Sequence, residues 1–370
     1  MTTSNVRGRV YLRQADGGIG GGVAGTRLTF VREGSGQIYE AATDAQGSYA
    51  LVLPQARYYV RATHVDYEDY ASVPGFVKAT PPLQICNFFL RAPQITTALV
   101  VRHADRDGEA DELSEAGTTR AKELRDILFR SGLTEIYASG ALRAQATAAP
   151  LSEALRLATQ TYGASGEVAQ RVLTVHAGDL SLVVAHSNTA TEVIASLGGT
   201  RLPANLAGFD NLFVVSRHGA QVHVLRLAYG DSSAAAPELA YPPQAMTLLL
   251  VGTGQGAGDA PERLRHAASR ANISAIYTSG THTAMVAPLA AALGKEPVSY
   301  DPAELLRLAE NLVTDHAQET AVVSGTHQDL RELIRLLRGR GPVLGSTDTA
   351  HLLVLTRFAS GEVRVVPLRL

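Results

Sequence analysis

Leu99-Val100-Val101-Arg102-His103-Ala104-Asp105 is a short apolar run that ends in a cation and an imidazole. Aliphatic residues in succession suit a strand covered on both faces. Such a strand delivers Arg102 and His103 to the mouth of a pocket. The flanking sequence has the matching alternation from Gln94 onward. Period-two runs predict strands over 97–101, 135–138, 180–185, 212–216 and 222–227, and helical patterns fill 114–130, 142–156, 167–176 and 189–197. Strands alternating with helices of this length predict a mostly parallel sheet with helices on both faces, a three-layer α/β domain over 95–230.

A Ser-, Ala- and Pro-rich stretch over 231–244 reads as a linker, and after it the chain repeats itself. "TLLLVGTGQG" follows the pattern of "TALVVRHADR", and "ISAIYTSGTHTAMVAPLAAALG" that of "LTEIYASGALRAQATAAPLSEAL". "TAVVSGTHQDLRELIRLLRG" follows "LSLVVAHSNTATEVIASLGG", and "HLLVLTRFASGEVRVVPLRL" follows "NLFVVSRHGAQVHVLRLAYG". Four blocks in one order read as a duplicated domain, the second copy spanning 245–370. Between the copies Arg102-His103 becomes Gly252-Thr253, His186 becomes Gly325, and Arg143 becomes Thr281 or Thr283 according to where a two-residue gap is placed. The apolar strand residues stand in both copies. The fold therefore needs the apolar residues, and a site in the first copy needs the polar ones.

Ahead of these lies a segment, 1–92, with strand-like alternation over 6–12, 27–32, 48–53, 58–63 and 85–90 and no helical period. It predicts a small all-β sandwich. Within Thr43-Asp44-Ala45-Gln46-Gly47-Ser48-Tyr49, Asp is expected to cap backbone amides and Gly to supply a positive φ. Through the "TDAQGSY" turn, the following "LVLPQARYYVRA" and the opening "VRGRVY", this segment resembles the carboxypeptidase regulatory-like, transthyretin-like domains. That resemblance implies a non-catalytic accessory module. His64, Asp66 and Glu68 read as a solvated strand or loop rather than a metal cluster, and prolines 74, 81, 82 and 93 as loops and a boundary.

The chain of 370 residues is long enough for about two or three domains. Its 33 basic and 35 acidic residues nearly cancel, which leaves no footprint for nucleic acid or an anionic membrane. No apolar run approaches the ~18 residues of a membrane span. The first residues lack the profile of a signal peptide, so a cytoplasmic location is favoured, or a secreted one had a leader been removed. The single cysteine, Cys86, excludes an internal disulfide and reads as a small buried hydrophobe.

The polar set of the first copy is Arg102, His103, Arg143 and His186. Arg102-His103 and His186 follow directly on apolar strands, whose carboxyl ends form the ligand crevice of an open α/β sheet. Arg143 heads a helix after a third strand. Two guanidinium groups, whose planar donors match phosphate oxygens, and two imidazoles describe a receptor for a small dianion. A helix N-terminus adds favourable charge, so a phosphoryl group is the expected ligand.

Residues 97–228 resemble the histidine phosphatase superfamily, the group of phosphoglycerate mutases and small phosphohistidine phosphatases. "VVRHADR" is similar to its "RHG" signature, "LSEAG" to its "LTxxG" helix start, "IYASGALRAQATAAPL" to its "SxxxRAxqTA" block and "LVVAHSN" to its second-histidine strand. The short spacing is nearest the compact phosphatases. The resemblance implies that His103 is the nucleophile, forming a phosphohistidine that water hydrolyses, while Arg102, Arg143 and His186 bind the phosphoryl oxygens, with no metal or other cofactor. The proton donor departs from the family pattern: Ser187 stands where the phytase-like branch has Asp, and Asp105, Glu167 and Asp179 are the remaining candidates.

Without an acid, phosphoramidates or aryl phosphates are the expected substrates, small or on a phosphoprotein. A phosphate-sensing or scaffold protein with little turnover is the alternative, and a mutase is disfavoured by the short span between Arg143 and His186. The sandwich and the degenerate second copy are expected to serve protein contacts. His176, His218 and His223 are assigned to structure, and His266, His282, His316, His327 and His351 fall outside the motif positions. Gly252-Thr253-Gly254-Gln255-Gly256 is a weak candidate for a residual anion loop in the second copy.

Overall fold

The alternating pattern of the first segment is realised as strands in the computed structural model, which describes residues 3–370 except 14–17, 65–66, 72–76, 80–82, 92–93, 200–205, 232–243, 253–257 and 340–350. The chain divides into two units, Met1–Gln94 and Ile95–Leu370. Asp66, Thr253, the prolines at 74, 81, 82 and 93, most of the linker and most of the Gly-rich loop lie outside the described residues, as does the side chain of Glu68.

The first unit is built from β1 (Thr3–Arg13), β2 (Ile19–Gly22), β3 (Arg27–Arg32), β4 (Ile38–Ala42), β5 (Ser48–Pro54), β6 (Arg57–His64), β7 (Tyr67–Ala71), β8 (Val77–Lys78), β9 (Leu83–Ile85) and β10 (Phe88–Arg91). Long β1 is shared, pairing β5 and β9 over its first half and β10 and β2 over its second. Inward residues of β1, β5 and β10 (Val6, Val10, Tyr49, Leu53, Phe88, Leu90) meet those of β3 and β6 (Leu28, Phe30, Tyr58, Val60) in one core. The Phe30 ring lies 6.1 to 6.4 Å from those of Tyr49, Phe88 and Tyr58. In the turn, Asp44 Oδ1 accepts from the amides of Gln46 and Ser48 at 2.9 and 2.8 Å. Gly47 has φ +76°, and a Cβ there would lie 2.6 Å from Gly22 Cα. The continuous strand expected over 85–90 breaks instead at Cys86-Asn87, where the Cys86 carbonyl accepts from the Tyr49 hydroxyl at 2.8 Å. Cys86 is accordingly half-buried at the core's edge, not enclosed in it.

The second unit opens with β11 (Thr96–Arg102), α1 (Glu115–Leu128), β12 (Glu135–Ser139), α2 (Leu142–Leu155), β13 (Thr159–Tyr162), α3 (Ser165–Thr174), β14 (Leu180–Ala185), α4 (Thr189–Ser196), β15 (Asn211–His218) and β16 (Gln221–Ala228). The sheet order is β13-β12-β14-β11-β15-β16, parallel through β11 and antiparallel beyond it. β13, with sequence TQTY, is a polar edge strand and shows no apolar alternation. Central β11 is buried along its length because its residues serve two layers. Leu99 and Val101 point to α1 and α2, and Ala98 and Val100 to α3 and α4.

A second sheet follows, from β17 (Met246–Gly252), α5 (Ala260–Ala268), β18 (Ile273–Ser279), α6 (Thr283–Leu293), β19 (Val298–Tyr300), α7 (Leu305–Asp315), β20 (Thr320–Gly325), α8 (His327–Leu336), β21 (His351–Arg357) and β22 (Val363–Arg369). Its order, β19-β18-β20-β17-β21-β22, repeats the first strand for strand. The halves share one core: Leu249, Val251, Leu264 and Leu289 join Leu99, Val101, Leu124 and Ala148. α1 packs on β22 and, reciprocally, α5 on β16.

The ladders correct one alignment. Arg102 pairs with Ala185 and Gly252 with Gly325, so Gly325 stands where Ala185 does, and the counterpart of His186 is Thr326. The two quoted blocks, set together without a gap, give the same pairing. Among the described residues no helix is long and apolar enough to cross a membrane.

Candidate active site

The carboxyl ends of β11, β12 and β14 lie side by side, and bring together Arg102, His103, Arg143 and His186. His103 is only 2% exposed, and its ring centroid lies 5.3 Å from that of His186. Its Nδ1 lies 2.8 Å from the Ala104 carbonyl oxygen. A carbonyl only accepts, so the proton sits on Nδ1 and the lone pair on Nε2. Burial pushes the pKa of His103 down to about 4, and the cations Arg102 and Arg143 add to it against the Ala104 hydrogen bond. His103 is thus a neutral imidazole at ordinary pH.

Arg143 Nη2 donates to His186 Nδ1 at 3.2 Å, which places the His186 proton on Nε2, where it donates to Ser139 Oγ at 2.8 Å. Burial lowers the pKa of His186, followed by Arg143 and Arg102. Arg102 donates to the carbonyls of Leu206 and Gly208 at 3.3 and 3.4 Å, and its guanidinium lies 3.9 Å from the Phe209 ring centroid.

Local sequence explains the placement. Ala104 N–H donates to the fully buried Thr147 hydroxyl at 2.9 Å, and that hydroxyl donates to the Arg143 carbonyl at 2.7 Å. One threonine of the "RAQATA" block therefore ties the His103 loop to the helix that carries Arg143. Ser114 caps α1 by accepting from Gly117 N–H at 3.1 Å, and a Cβ on Gly117 would lie 2.0 Å from the Asp105 carbonyl oxygen. The "LSEAG" glycine is thus required for close approach of the same loop.

The three expected acids lie elsewhere. Asp105 is turned into an ion pair with Arg120, 2.5 Å from Oδ2 to Nε. Glu167 accepts from Gly163 N–H at 3.1 Å and from Arg171 at 2.7 Å, and the backbone bonds at the head of α3 hold its carboxyl below the usual range. Asp179 precedes β14, at the opposite end of the sheet, beside His176 at 3.5 Å. The carboxylate that reaches the site is Asp111, which sequence reasoning missed because it approaches through a loop. It accepts from Arg143 Nη1 at 2.5 Å and from Leu142 N–H at 3.2 Å, so it also caps α2, which has no side-chain cap of its own. These bonds lower its pKa, the Leu142 amide first.

A cleft of about 440 Å³ adjoins His186, lined by Ser139, Thr161, Tyr162 and Thr189. A larger cleft of about 590 Å³ lies between α1 and α5, away from these residues. Among the described residues no group of His, Cys, Asp or Glu is placed to hold a metal ion. His223 is buried with its Nε2 2.7 Å from the Thr247 hydroxyl, and His218 packs on Phe358, both far from any motif position.

The chain matches no protein-family model and no curated protein. Solved structures similar to part of it include mycobacterial hydrolase 1, at 18% identity and TM-score 0.29, covering 39% of this chain and 100% of its own. The protein histidine phosphatase SixA, solved with tungstate, is 18% identical at TM-score 0.28, covering 37% of this chain and 96% of its own. A putative α-ribazole-5′-P phosphatase from Escherichia coli is 15% identical at TM-score 0.29, covering 39% and 99%.

Proposed function

We propose that residues 95–230 form a phosphatase domain and that 245–370 are its duplicated, inactive counterpart, the first 92 residues being an accessory β-sandwich of the carboxypeptidase regulatory-like kind. The reaction we assign is metal-independent hydrolysis of a phosphomonoester or phosphoramidate, small or on a protein, through a phosphohistidine on His103. The observation that carries this reading is the Nδ1 to Ala104 hydrogen bond, which leaves Nε2 of a neutral imidazole free beside two guanidinium groups and a second imidazole. Nε2 attacks phosphorus as the bond to the leaving group breaks. The leaving group takes a proton from water or from an acid at the mouth. Water then attacks the phosphohistidine, losing a proton as phosphate departs and Nε2 recovers its lone pair. Arg102, Arg143 and His186 serve the phosphoryl oxygens, whose charge is dispersed in the transition state.

A phosphate sensor with little turnover is the second reading. It is favoured by the engagement of Asp105, Glu167 and Asp179 elsewhere and by the low pKa of Asp111. Incubation with ³²P-labelled acetyl phosphate separates the two. A base-stable, acid-labile label on the wild type that is absent from His103→Ala supports the phosphatase. Phosphate binding without label or turnover establishes the sensor.

A further inference from the structure

Arg270 belongs to the second half of the unit, which has none of the four site residues at the corresponding strand ends, yet its guanidinium reaches the first half. Its Nη2 donates to Asp210 Oδ2 at 2.7 Å, and its Nη1 to Asp210 Oδ1 at 3.1 Å and Asn211 Oδ1 at 2.9 Å. The Asp210 side chain is 0% exposed and that of Arg270 12%. This is a bidentate, buried ion pair, the geometry for which Arg and not Lys is suited.

Asp210 ends the loop that wraps Arg102. Within that loop Leu206 and Gly208 offer the carbonyls that accept from Arg102, and Phe209 offers the ring on which its guanidinium rests. The same ring lies 5.6 Å from that of His103. The loop closes on itself through Asn211 Nδ2 donating to the Ala207 carbonyl at 3.0 Å, and Asn211 Oδ1 is shared by Arg270 and the buried Arg226. The loop is also held by Leu206 N–H donating to the Ser187 carbonyl and by Tyr229 N–H donating to the Asp210 carbonyl, each at 3.0 Å. The Asp210 carboxylate, however, is gripped by Arg270 on the segment whose Phe209 ring carries Arg102.

We propose that Arg270 is a positioning residue for the oxyanion site of the first half, acting through Asp210 and Phe209 on Arg102. The second half, on this view, completes the site from outside. The inference rests on the reading of that site as a phosphoryl receptor. It gives the half without catalytic residues a part in the reaction that its own strand ends do not suggest.

The test is a double-mutant cycle on the full chain, with binding of inorganic phosphate and of vanadate read by equilibrium titration, so that the result does not depend on turnover. Arg270→Met is expected to weaken binding at least ten-fold, and Arg270→Lys by less. In an Arg102→Gln background, itself weakened, Arg270→Met is expected to have no further effect. Asp210→Asn attacks the same link without stranding a buried carboxylate, and is expected to weaken phosphate binding in the same way, with a thermal transition showing that the chain is folded. Full additivity of Arg270→Met and Arg102→Gln, or unchanged binding in folded Asp210→Asn, overturns the proposal. Phosphate binding lost in the Arg270 variants of a wild type that binds but does not turn over removes the phosphatase reading and leaves this one standing.

Discussion

At the end of β14 in one half stands His186, and at the end of β20 in the other stands Thr326. Thr326 opens α8 with a reciprocal capping box: its hydroxyl accepts from Asp329 N–H, and the Asp329 carboxylate accepts from Thr326 N–H, each at 3.1 Å. In the first half only one arm of that box exists. Thr189, three residues after His186, accepts from His186 N–H at 2.9 Å, but an imidazole engaged with Arg143 and Ser139 does not return the favour. One position thus serves helix stability in one half and the site in the other. Elsewhere the second half has filled the space as well. A Cβ on Gly252, the counterpart of Arg102, would lie 2.4 Å from His327 Cδ2, and one on Gly325 would lie 2.2 Å from the Tyr300 hydroxyl. The difference teaches that the two sheets are held by the same apolar residues, while their strand ends are packed for different purposes.

His186→Thr sharpens this comparison most. It restores the missing arm of the cap, which is expected to stabilise the chain by about 0.5–1 kcal/mol. It also removes the imidazole proposed to bind a phosphoryl oxygen, so turnover of an aryl phosphate is expected to fall ~10²-fold or more. Thermal denaturation and steady-state kinetics on the same preparation check both. A substitution that lowered stability and activity together would show that His186 is structural.

Acid titration separates the site from its scaffold. His103 and His223 both have pKa values pushed down to about 4 by burial. The unfolded chain, with histidines near ~6.5, binds more protons than the folded one between those values, so stability falls as pH drops from 6.5 towards 4. His223→Gln is expected to lessen this acid sensitivity while kcat at neutral pH stays the same. For His103, the proposed nucleophile, the neutral imidazole persists down to about pH 4, and kcat/KM is expected to show no inflection from it near 6.5.

Much of this was legible in the sequence because apolar runs carry their own period. β11, β14, β17 and β20 are buried on both faces and read as such. The four site residues were legible because their counterparts are not ionisable. What stayed hidden depends on directions that a linear sequence does not carry. Asp105 lies two residues from His103 in sequence, yet its carboxylate turns to Arg120, and Asp179 precedes the strand that His186 follows, so the length of that strand separates them. Asp111 and Phe209 reach the site through loops, Arg270 grips the end of the Phe209 loop from the other half, and none of the three sits in a motif. The counterpart of His186 is Thr326 and not Gly325, as the strand ladders fix.

Gly325→Ala tests the packing of the second half. The added methyl must push aside the Tyr300 hydroxyl, which donates to the Ser324 carbonyl at 3.1 Å. Overpacking of this kind costs about 1–3 kcal/mol. Pairing it with Tyr300→Phe, which removes the obstructing oxygen, is expected to recover most of the loss in a denaturation curve, with aryl phosphate turnover unaffected by either change. Equal costs in both backgrounds would show that the Tyr300 hydroxyl is not what closes this strand end.

The smallest effect concerns Asp111, the charge that distinguishes the open strand ends from the filled ones. Its carboxylate engages Arg143 Nη1 and the first amide of α2, the donors a phosphoryl oxygen would use. An incoming dianion must share or displace it, and like charges that close repel. Asp111 is half exposed, so solvent screens much of that repulsion, and the net effect on affinity is modest. Asp111→Asn keeps an acceptor for the Leu142 amide while removing the charge. Inorganic phosphate is then expected to bind a few-fold tighter. If Asp111 also protonates the leaving group, the same variant slows an alkyl phosphate more than an aryl phosphate, because an aryl oxide departs without a proton. Tighter phosphate with equal losses for both substrates would leave Asp111 a competitor for Arg143 and not an acid.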